Sequence, residues 1–344
     1  MVKQRSSRYW DKRAIQRLTE AEKNSAWHFK EIEILYDQAE KETVDQLLKI
    51  YQSFYRGSGF DLSELERMAP TGEMNQLYST LEKAGLSKQL PKRFRGRIKR
   101  LEAINAQLWT RTRQLAIFEN EIQTKAHTET INNSFGRTIF DTAEGIGATP
   151  QFADLNTTAI DNLLNTSWQG KNYSRRIWGN TGHLATQLQQ TITKAIMTGM
   201  SQDRAMREIR ERFNVAKFYA ERLIRTETNH FENEAEYIAY KEMGVEEYVF
   251  VSVLDGRTSQ MCRDLDGQRF KVNERAEGVN WPPIHPYCRS TVRGYIGKDY
   301  GPKIRSAINK KGGRYFIPNM SYKEWQIDVN FNPNKNPSDV PRMF

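Results

Sequence analysis

Residues 248–270, YVFVSVLDGRTSQMCRDLDGQRF, decide the fold class of this chain. The stretch opens with the only convincing strand in the sequence, at 248–254, where Val, Tyr and Phe predominate. An Asp-Gly pair at 255–256 marks a turn, and a second pair at 266–267 is placed as in the turn of a hairpin. Because helical segments precede this small sheet, the C-terminal part is predicted to be α+β.

Helical periodicity dominates the chain before the strand. Apolar residues recur three, four and seven positions apart through part of 9–56, which predicts one long helix or a helical hairpin. A second long amphipathic stripe runs from Ile98 to about Phe135. Two further helices are expected, one capped by Ser201 and a following one that stops at Gly244. We therefore predict an elongated, mostly α-helical N-terminal part followed by a small α+β C-terminal domain.

Three regions are expected along the chain. Residues 1–135 form an extended α-helical region, 136–300 form the α+β domain, and 301–344 form a C-terminal tail. Residues 141–182 are rich in Gly, Thr and Asn, which is typical of short helices and loops at a boundary. The last fifteen residues, NFNPNKNPSDVPRMF, are rich in Asn and Pro, and we expect them to be extended or disordered.

Composition excludes several classes of protein. The chain has 344 residues, of which 38% are hydrophobic, and no stretch approaches the roughly 18 consecutive apolar residues of a membrane helix. The start, MVKQRSSRYWDKR, lacks the apolar run of a signal peptide, so we expect neither a membrane span nor Sec export. Two cysteines are too few for a disulfide framework and fit synthesis in a reducing cytoplasm.

The positive charge of the chain is concentrated in one window. Residues 88–113 hold nine Lys or Arg residues against one acid, Glu102, and so supply +8 of the formal net charge of +10. Solvated Lys/Arg faces usually pair with acids three or four residues away, and here Glu102 is the only such acid. We predict contact with the phosphates of nucleic acid, or with an acidic protein, through six residues of this window: Lys92, Arg93, Arg95, Arg97, Lys99 and Arg100.

Cys262, His285 and Cys288 form a possible zinc-binding set. Thiolates and imidazole are zinc ligands, and we expect the three side chains to cluster at the turn-rich end of the domain. A structural zinc site normally has four protein ligands, so a fourth is missing from this set. The candidates for the fourth ligand are Asp255, Asp264 and Asp266. A structural Zn²⁺, a disulfide and unliganded packing remain alternatives. The other histidines are isolated, and surface or packing roles are expected for His28, His127, His183 and His230.

Glu227 is an acid on an apolar helical stripe, between Leu223 and Phe231. A buried carboxylate needs a partner, and the predicted one is Arg257 in the turn after the strand, or another donor nearby. The alternative is a catalytic glutamate, for which no second catalytic group stands at a recognisable spacing. The chain also contains no P-loop, G-x-G-x-x-G, H-E-x-x-H or G-x-S-x-G motif.

The order of motifs over about 125–297 resembles the Mu F-like phage head morphogenesis family. The matching groups of residues are Arg225, Thr226 and Glu227; Asp255, Arg257, Thr258 and Cys262; Leu265, Asp266 and Gly267; and His285, Pro286, Cys288 and Arg289. Ser290 departs from the family, which commonly has a second cysteine at that place. Several motifs in the right order make the resemblance more specific than any one of them.

The resemblance implies a non-enzymatic minor capsid protein, present in few copies inside the phage head. Its implied partners are the portal vertex, the capsid interior and packaged double-stranded DNA bound without sequence preference, and ejection with the genome is a further expectation. The protein would be made in the bacterial host cytoplasm and end in the virion, without contact with a membrane.

The rival hypothesis is a metal-dependent enzyme acting on nucleic acid. In that case Cys262, His285 and Cys288 hold a catalytic ion, and Glu227 acts as general acid and base. A catalytic site needs a cleft with water on the metal and a carboxylate beside it, whereas a structural site has neither.

Overall fold

A computed structural model describes residues 6–57, 59–146 and 155–295, together with the backbone of two strands at 304–308 and 314–318. Apart from those two strands, the predicted tail lies outside the described residues, as does the Asn/Pro-rich end. The described helices and strands, in chain order, are α1 Ser7–Phe54, α2 Leu62–Glu66, α3 Thr71–Lys83, α4 Arg100–Ile146, α5 Thr157–Asn165, α6 Tyr173–Thr198, α7 Gln202–Glu242, β1 Glu247–Ser252, α8 Gln260–Leu265, β2 Arg269–Lys271, β3 Ser290–Gly294, β4 Ile304–Ile308 and β5 Arg314–Pro318. The predicted α+β class with a helical N-terminal part is confirmed.

The long helices are longer than the sequence pattern indicated. The segment at 9–56 is one helix, α1, and the two helices expected between Ser201 and Gly244 are one continuous helix, α7. Neither α1 nor α7 contains a Gly or Pro, so nothing in either sequence interrupts the backbone hydrogen bonds. Gly244, with a φ of 67°, ends α7 in the left-handed conformation that glycine adopts without strain. No helix in the described ranges is both long and apolar enough to span a bilayer.

The described residues form two compact units. The first comprises Met1–Ala26, Ala126–Thr166 and Ile224–Phe344, and the second comprises Trp27–Lys125 and Ser167–Leu223. This division differs from the linear one expected from the sequence, because stretches far apart along the chain contribute to the same unit.

Buried ion pairs explain why the N-terminal residues belong with the C-terminal domain. Arg17 of α1 is buried and contacts both Asp141 of α4 and Glu236 of α7, with Arg17 Nη2 lying 2.7 Å from Glu236 Oε1. Arg293 of β3 pairs with Asp11 of α1. Charges that are buried need such partners, so these pairs fix the first turns of α1 within the first unit.

The sheet of the first unit has the order β2-β1-β3, and both pairings are antiparallel. Tyr248 of β1 stands opposite Phe270 and Gly294. A Cβ at Gly294 would lie 3.2 Å from Tyr240 Cε1 on α7, a tight contact, so a larger residue there would require the Tyr240 ring to shift. Trp281 is fully buried and belongs to the same core cluster as Tyr240 and Tyr248.

The predicted strand is confirmed, but the Asp-Gly pair at 266–267 is not a hairpin turn. It joins the short helix α8 to β2, and Gly267 has a φ of 77°. Asp266 Oδ1 accepts a hydrogen bond from the backbone N–H of Ser252 at 2.8 Å. Strands β1 and β2 are neighbours as expected, yet α8 lies between them in the chain and places Cys262 beside the sheet.

Candidate functional site

Cys262, His285 and Cys288 lie together at one end of the sheet. Cys262 is on α8, whose N-cap Ser259 accepts a hydrogen bond from the Cys262 N–H at 3.3 Å. His285 and Cys288 belong to the segment that leads into β3. Cys262 Sγ is 3.4 Å from His285 Nε2 and 3.8 Å from Cys288 Sγ. The three ligand atoms are all within 4.8 Å of one another, as the prediction of a cluster requires.

Electrostatics in this cluster favour one thiolate. A hydrogen bond from the Cys288 thiol lowers the pKa of Cys262 to about 4, and His285 acts in the same direction although burial opposes both. The bond to Cys262, together with burial, raises the pKa of Cys288 well above its ordinary value. The Cys262 thiolate also raises the pKa of His285. Cys262 is only 1% exposed, so this thiolate is available to a small ion but not to a bulky substrate.

Helix α7 holds the segment that carries His285 and Cys288. Thr226 Oγ1 accepts a hydrogen bond from the Tyr287 N–H at 3.2 Å, and the Arg225 guanidinium lies 5.5 Å from the centre of the Tyr287 ring. Asn229 Nδ2 donates to the Ser290 carbonyl at 2.9 Å. Tyr287 has a φ of 58°, a left-handed conformation that a non-glycine residue keeps only when its surroundings impose it. Arg225, Thr226 and Asn229 of α7 therefore position the segment that carries two members of the cluster.

The predicted pair between Glu227 and Arg257 is wrong. The Arg257 side chain is 80% exposed, and its Nε lies 3.7 Å from Asp255 Oδ2, whereas Glu227 is fully buried. Arg257 follows a turn at the surface, where its guanidinium remains hydrated. The arginine that binds Asp255 closely is Arg289, which donates two hydrogen bonds to that carboxylate.

None of the three aspartates proposed as a fourth ligand is available among the described residues. Asp255 is held by Arg289, and Asp266 accepts from the Ser252 N–H. Asp264 Oδ1 accepts from Gln260 Nε2 at 2.8 Å at the surface. The cluster therefore presents three protein ligands, two sulfurs and one nitrogen.

A second group of candidate ligands was not anticipated from the sequence. His230 is buried on α7 and is hydrogen-bonded through Nδ1 to Glu277, with Glu234 nearby. Glu234 is already paired with Arg275, whose Nη2 lies 2.9 Å from Glu234 Oε2, and this guanidinium disfavours a bound cation. His230 and Glu277 are 47 residues apart in the sequence, and no known ligand motif has this spacing, so the pair could not be recognised from the sequence.

A small cavity adjoins the cysteine cluster. It is lined in part by Arg225, Cys288 and Arg289, and its volume is about 10 Å³. That space holds roughly one water molecule at most. A nucleic acid substrate needs a cleft far larger than this cavity.

The basic window lies in the second unit, where its apolar residues are buried and most of its basic residues are exposed. Leu86, Leu90, Phe94 and Ile98, at intervals of four residues, are all buried in one core cluster with Trp109 of α4. Between them, five basic residues are exposed: Lys88, Lys92, Arg93, Arg95 and Arg97. These residues precede α4, which begins at Arg100, so they form a surface loop held by its apolar residues.

Three basic residues of the window pair with acids outside it, contrary to the expectation from local sequence. Lys99 pairs with Glu66, and Arg100 Nη1 lies 2.6 Å from Glu64 Oε2. Arg111 Nε lies 3.1 Å from Glu42 Oε2 on α1. The acids come from 33 to 69 residues away, so inspection of neighbouring positions could not reveal them.

Arg95 has a structural role within the same loop. Its guanidinium donates to the Leu90 carbonyl at 2.9 Å and to the Lys88 carbonyl at 3.3 Å. The Arg93 guanidinium lies 4.6 Å from the centre of the Phe94 ring. The side chains that remain best placed to meet phosphates are Lys92, Arg93 and Arg97.

Residues 186–293 match the family model described as Phage Mu protein F like protein. The match covers all the motif residues from Arg225 to Arg289, and it confirms the resemblance drawn from those motifs. It points to a structural role in phage head morphogenesis. Neither the comparison with curated proteins nor the comparison with solved structures found a match.

Proposed function

We propose that this protein is a non-enzymatic minor capsid protein, located inside the phage head and associated with the portal vertex. The observation that carries the proposal is the family match over 186–293, which includes α7, the three-stranded sheet and the cysteine cluster. Within the matched region, Glu236 and Arg293 form buried ion pairs with Arg17 and Asp11 of α1.

The packaged genome is the second proposed partner. Lys92, Arg93 and Arg97 are exposed side by side on a loop whose apolar residues are buried. Contacts of this kind to phosphate oxygens carry no sequence information, so binding to duplex DNA is expected at any sequence. A fixed loop loses little conformational entropy when it binds, which favours contact with DNA along the surface of the second unit.

The portal is the proposed protein partner. A protein located at the portal vertex could leave the head with the genome, and we propose ejection for that reason. A pull-down with the full chain as bait and purified portal as prey tests whether the two proteins bind. Retention of the portal at moderate salt supports it, and loss of the portal at every salt concentration contradicts it.

The rival hypothesis of a metal-dependent nuclease receives less support. The cavity beside Cys288 is about 10 Å³, and Cys262 and Cys288 are 1% and 3% exposed. A metal held by these ligands has no room beside it for a phosphodiester. Glu227 is fully buried on α7, so it is poorly placed to exchange protons with a substrate.

Deletion of the gene from its phage, with complementation in trans, tests the proposed role. We expect the deletion to lower the yield of infectious particles and to produce defective heads in electron micrographs, with rescue by the wild-type chain. Normal heads and normal yield without the gene would contradict the proposal. Complementation by a variant carrying Cys262→Ser and Cys288→Ser then separates head assembly from any role of the cysteines.

A further inference from the structure

We propose that Cys262, His285 and Cys288 bind one Zn²⁺ ion, which fastens α8 to the segment before β3. The inference concerns the local chemistry of the first unit and does not depend on a role in the phage head. It is carried by the spacing of the ligand atoms, by the orientation of His285 and by the backbone groups that surround Cys288.

Two of the three distances between ligand atoms are those of a tetrahedral zinc site, and the third, between His285 Nε2 and Cys288 Sγ, is within 4.8 Å. Two sulfurs each about 2.3 Å from a tetrahedral zinc are about 3.8 Å apart, and a sulfur and a nitrogen in the same geometry are about 3.5 Å apart. The Sγ atoms of Cys262 and Cys288 are 3.8 Å apart. Cys262 Sγ and His285 Nε2 are 3.4 Å apart. The ion could therefore bind with little rearrangement.

The orientation of His285 is that of a metal ligand. Its Nδ1 lies 2.8 Å from the Pro286 carbonyl oxygen, and a proton on Nδ1 is donated to that oxygen. In the neutral ring, which is the form that binds a metal, Nε2 then carries the lone pair, and it is the atom directed at Cys262. Ligating histidines in proteins commonly have their second nitrogen fixed in this way by a carbonyl or a carboxylate.

Backbone N–H groups surround the Cys288 sulfur. Ile284 and Ser290 both hydrogen-bond to Cys288 through their backbones. Such donors offset the negative charge of a metal-bound thiolate, which is otherwise costly in a site that is only 3% exposed. The loop is itself fixed by Thr226 and Asn229 of α7, so the ligands are held in place before an ion binds.

The ligand set selects zinc, and the surroundings indicate a structural ion. Two thiolates and one imidazole are soft and borderline donors, which disfavour Mg²⁺ and Ca²⁺. The three aspartates considered as a fourth ligand are engaged elsewhere, and the adjoining cavity of about 10 Å³ leaves no cleft for a substrate, which is typical of a structural ion. Since Cys262 and Cys288 are 26 residues apart, the ion cross-links the loop that contains β2 and Trp281.

Metal analysis of the full chain tests the inference. The wild-type protein, purified without added metal and then equilibrated with zinc and desalted, is expected to retain one zinc per chain. Cys262→Ser and Cys288→Ser should each lower the retained zinc by about tenfold or more, because each removes a thiolate ligand. His183→Gln, at a histidine of α6 outside the cluster, is the matched control and should retain the wild-type amount.

Substitution of the metal by Co²⁺ keeps the test independent of how the variants fold. Addition of Co²⁺ to the chelator-treated wild-type chain should produce sulfur-to-cobalt charge-transfer absorption and the intense visible bands of a tetrahedral site, saturating at one equivalent. Absence of these bands with fully reduced cysteines would overturn the inference. An intact mass two hydrogens below that of the reduced chain, in protein isolated under mild conditions, would also overturn it by identifying a disulfide.

Discussion

Arg289 donates two hydrogen bonds to Asp255, from Nη1 to Oδ2 at 2.8 Å and from Nη2 to Oδ1 at 2.6 Å. The pair joins the turn after β1 to the residue immediately before β3. Burial alone would raise the pKa of Asp255, but the Arg289 guanidinium and the Arg257 N–H lower it below its usual value. The carboxylate is thus a fixed centre to which two parts of the domain are attached.

Arg289→Ala is expected to destabilise the chain by about 2–3 kcal/mol, because it leaves a largely buried carboxylate without its bidentate partner. Arg257→Ala is the matched control. Arg257 lies near the same carboxylate but is 80% exposed, so its removal should change the unfolding free energy by less than about 0.5 kcal/mol. Urea denaturation of both variants measures the difference. Equal effects of the two substitutions would contradict the assignment of Arg289 as the partner.

Arg17→Met is expected to cost about 3–5 kcal/mol, because Asp141 and Glu236 would remain buried without their shared cation. Arg13→Met is the comparison. Arg13 also contacts Asp141, but its side chain is 31% exposed, so a smaller loss is expected. Thermal melts at pH 5 and pH 8 provide a second readout. The loss in Arg17→Met should be smaller at pH 5, because burial raises the pKa of Glu236 and without Arg17 that carboxyl takes up a proton.

Glu119→Gln should make the protein more stable above pH 7. Glu119 is fully buried in the second unit and accepts hydrogen bonds from Tyr36 and Gln123, and burial raises its pKa to about 7. The folded state therefore holds a proton that the unfolded state releases near pH 4.5. The contribution of Glu119 to the free energy of unfolding is therefore fully present below about pH 4.5. It falls by about 3 kcal/mol in total as the pH rises to 7 and above.

The pH dependence of the unfolding free energy measures this contribution. Between pH 5 and pH 8 the wild type should lose about 2.5 kcal/mol more than Glu119→Gln does. Glu121→Gln, at an exposed position of the same helix, should follow the wild-type profile. A Glu119→Gln profile parallel to that of the wild type would show that the buried carboxyl does not titrate in this range.

Some parts of the fold could be predicted from the sequence because the pattern is local. The strand expected at 248–254, which the structure has at Glu247–Ser252, follows from its β-branched and aromatic residues, and the end of α7 follows from Gly244. The grouping of residues 1–26 with the C-terminal domain could not be predicted in this way. It depends on Arg17 meeting Glu236, two residues more than 200 positions apart, and no local rule connects them.

The candidate site shows the same limit. The chemistry of Cys262, His285 and Cys288 was evident from residue type, and their proximity is present in the structure. The partner of Asp255 was not evident, because Arg257 and Arg289 are both plausible by charge and only burial separates them. In the basic window, the pairs of Lys99 and Arg100 with α2 depend on packing that the sequence does not reveal.

Binding to duplex DNA should depend on the exposed part of the basic loop. Replacement of Lys92, Arg93 and Arg97 by Gln should lower the log–log salt slope of binding by about 2.7, from about 0.9 per phosphate contact. Replacement of Lys30, Lys41 and Lys49 on α1 by Gln removes the same charge from exposed positions elsewhere and should leave the slope nearly unchanged. Fluorescence anisotropy with a short duplex over a range of salt gives both slopes. Equal slopes in the two triple variants would indicate that the loop serves another partner.

Quantitative mass spectrometry of purified, DNA-filled heads of the encoding phage tests most directly whether the protein is a head component. We expect peptides from the chain to co-purify with the heads through a density gradient, at a copy number far below that of the major capsid protein. Treatment of intact heads with protease should leave these peptides undegraded, since the proposed location is the interior. Infectious, DNA-filled heads that contain none of the protein would contradict the proposed function.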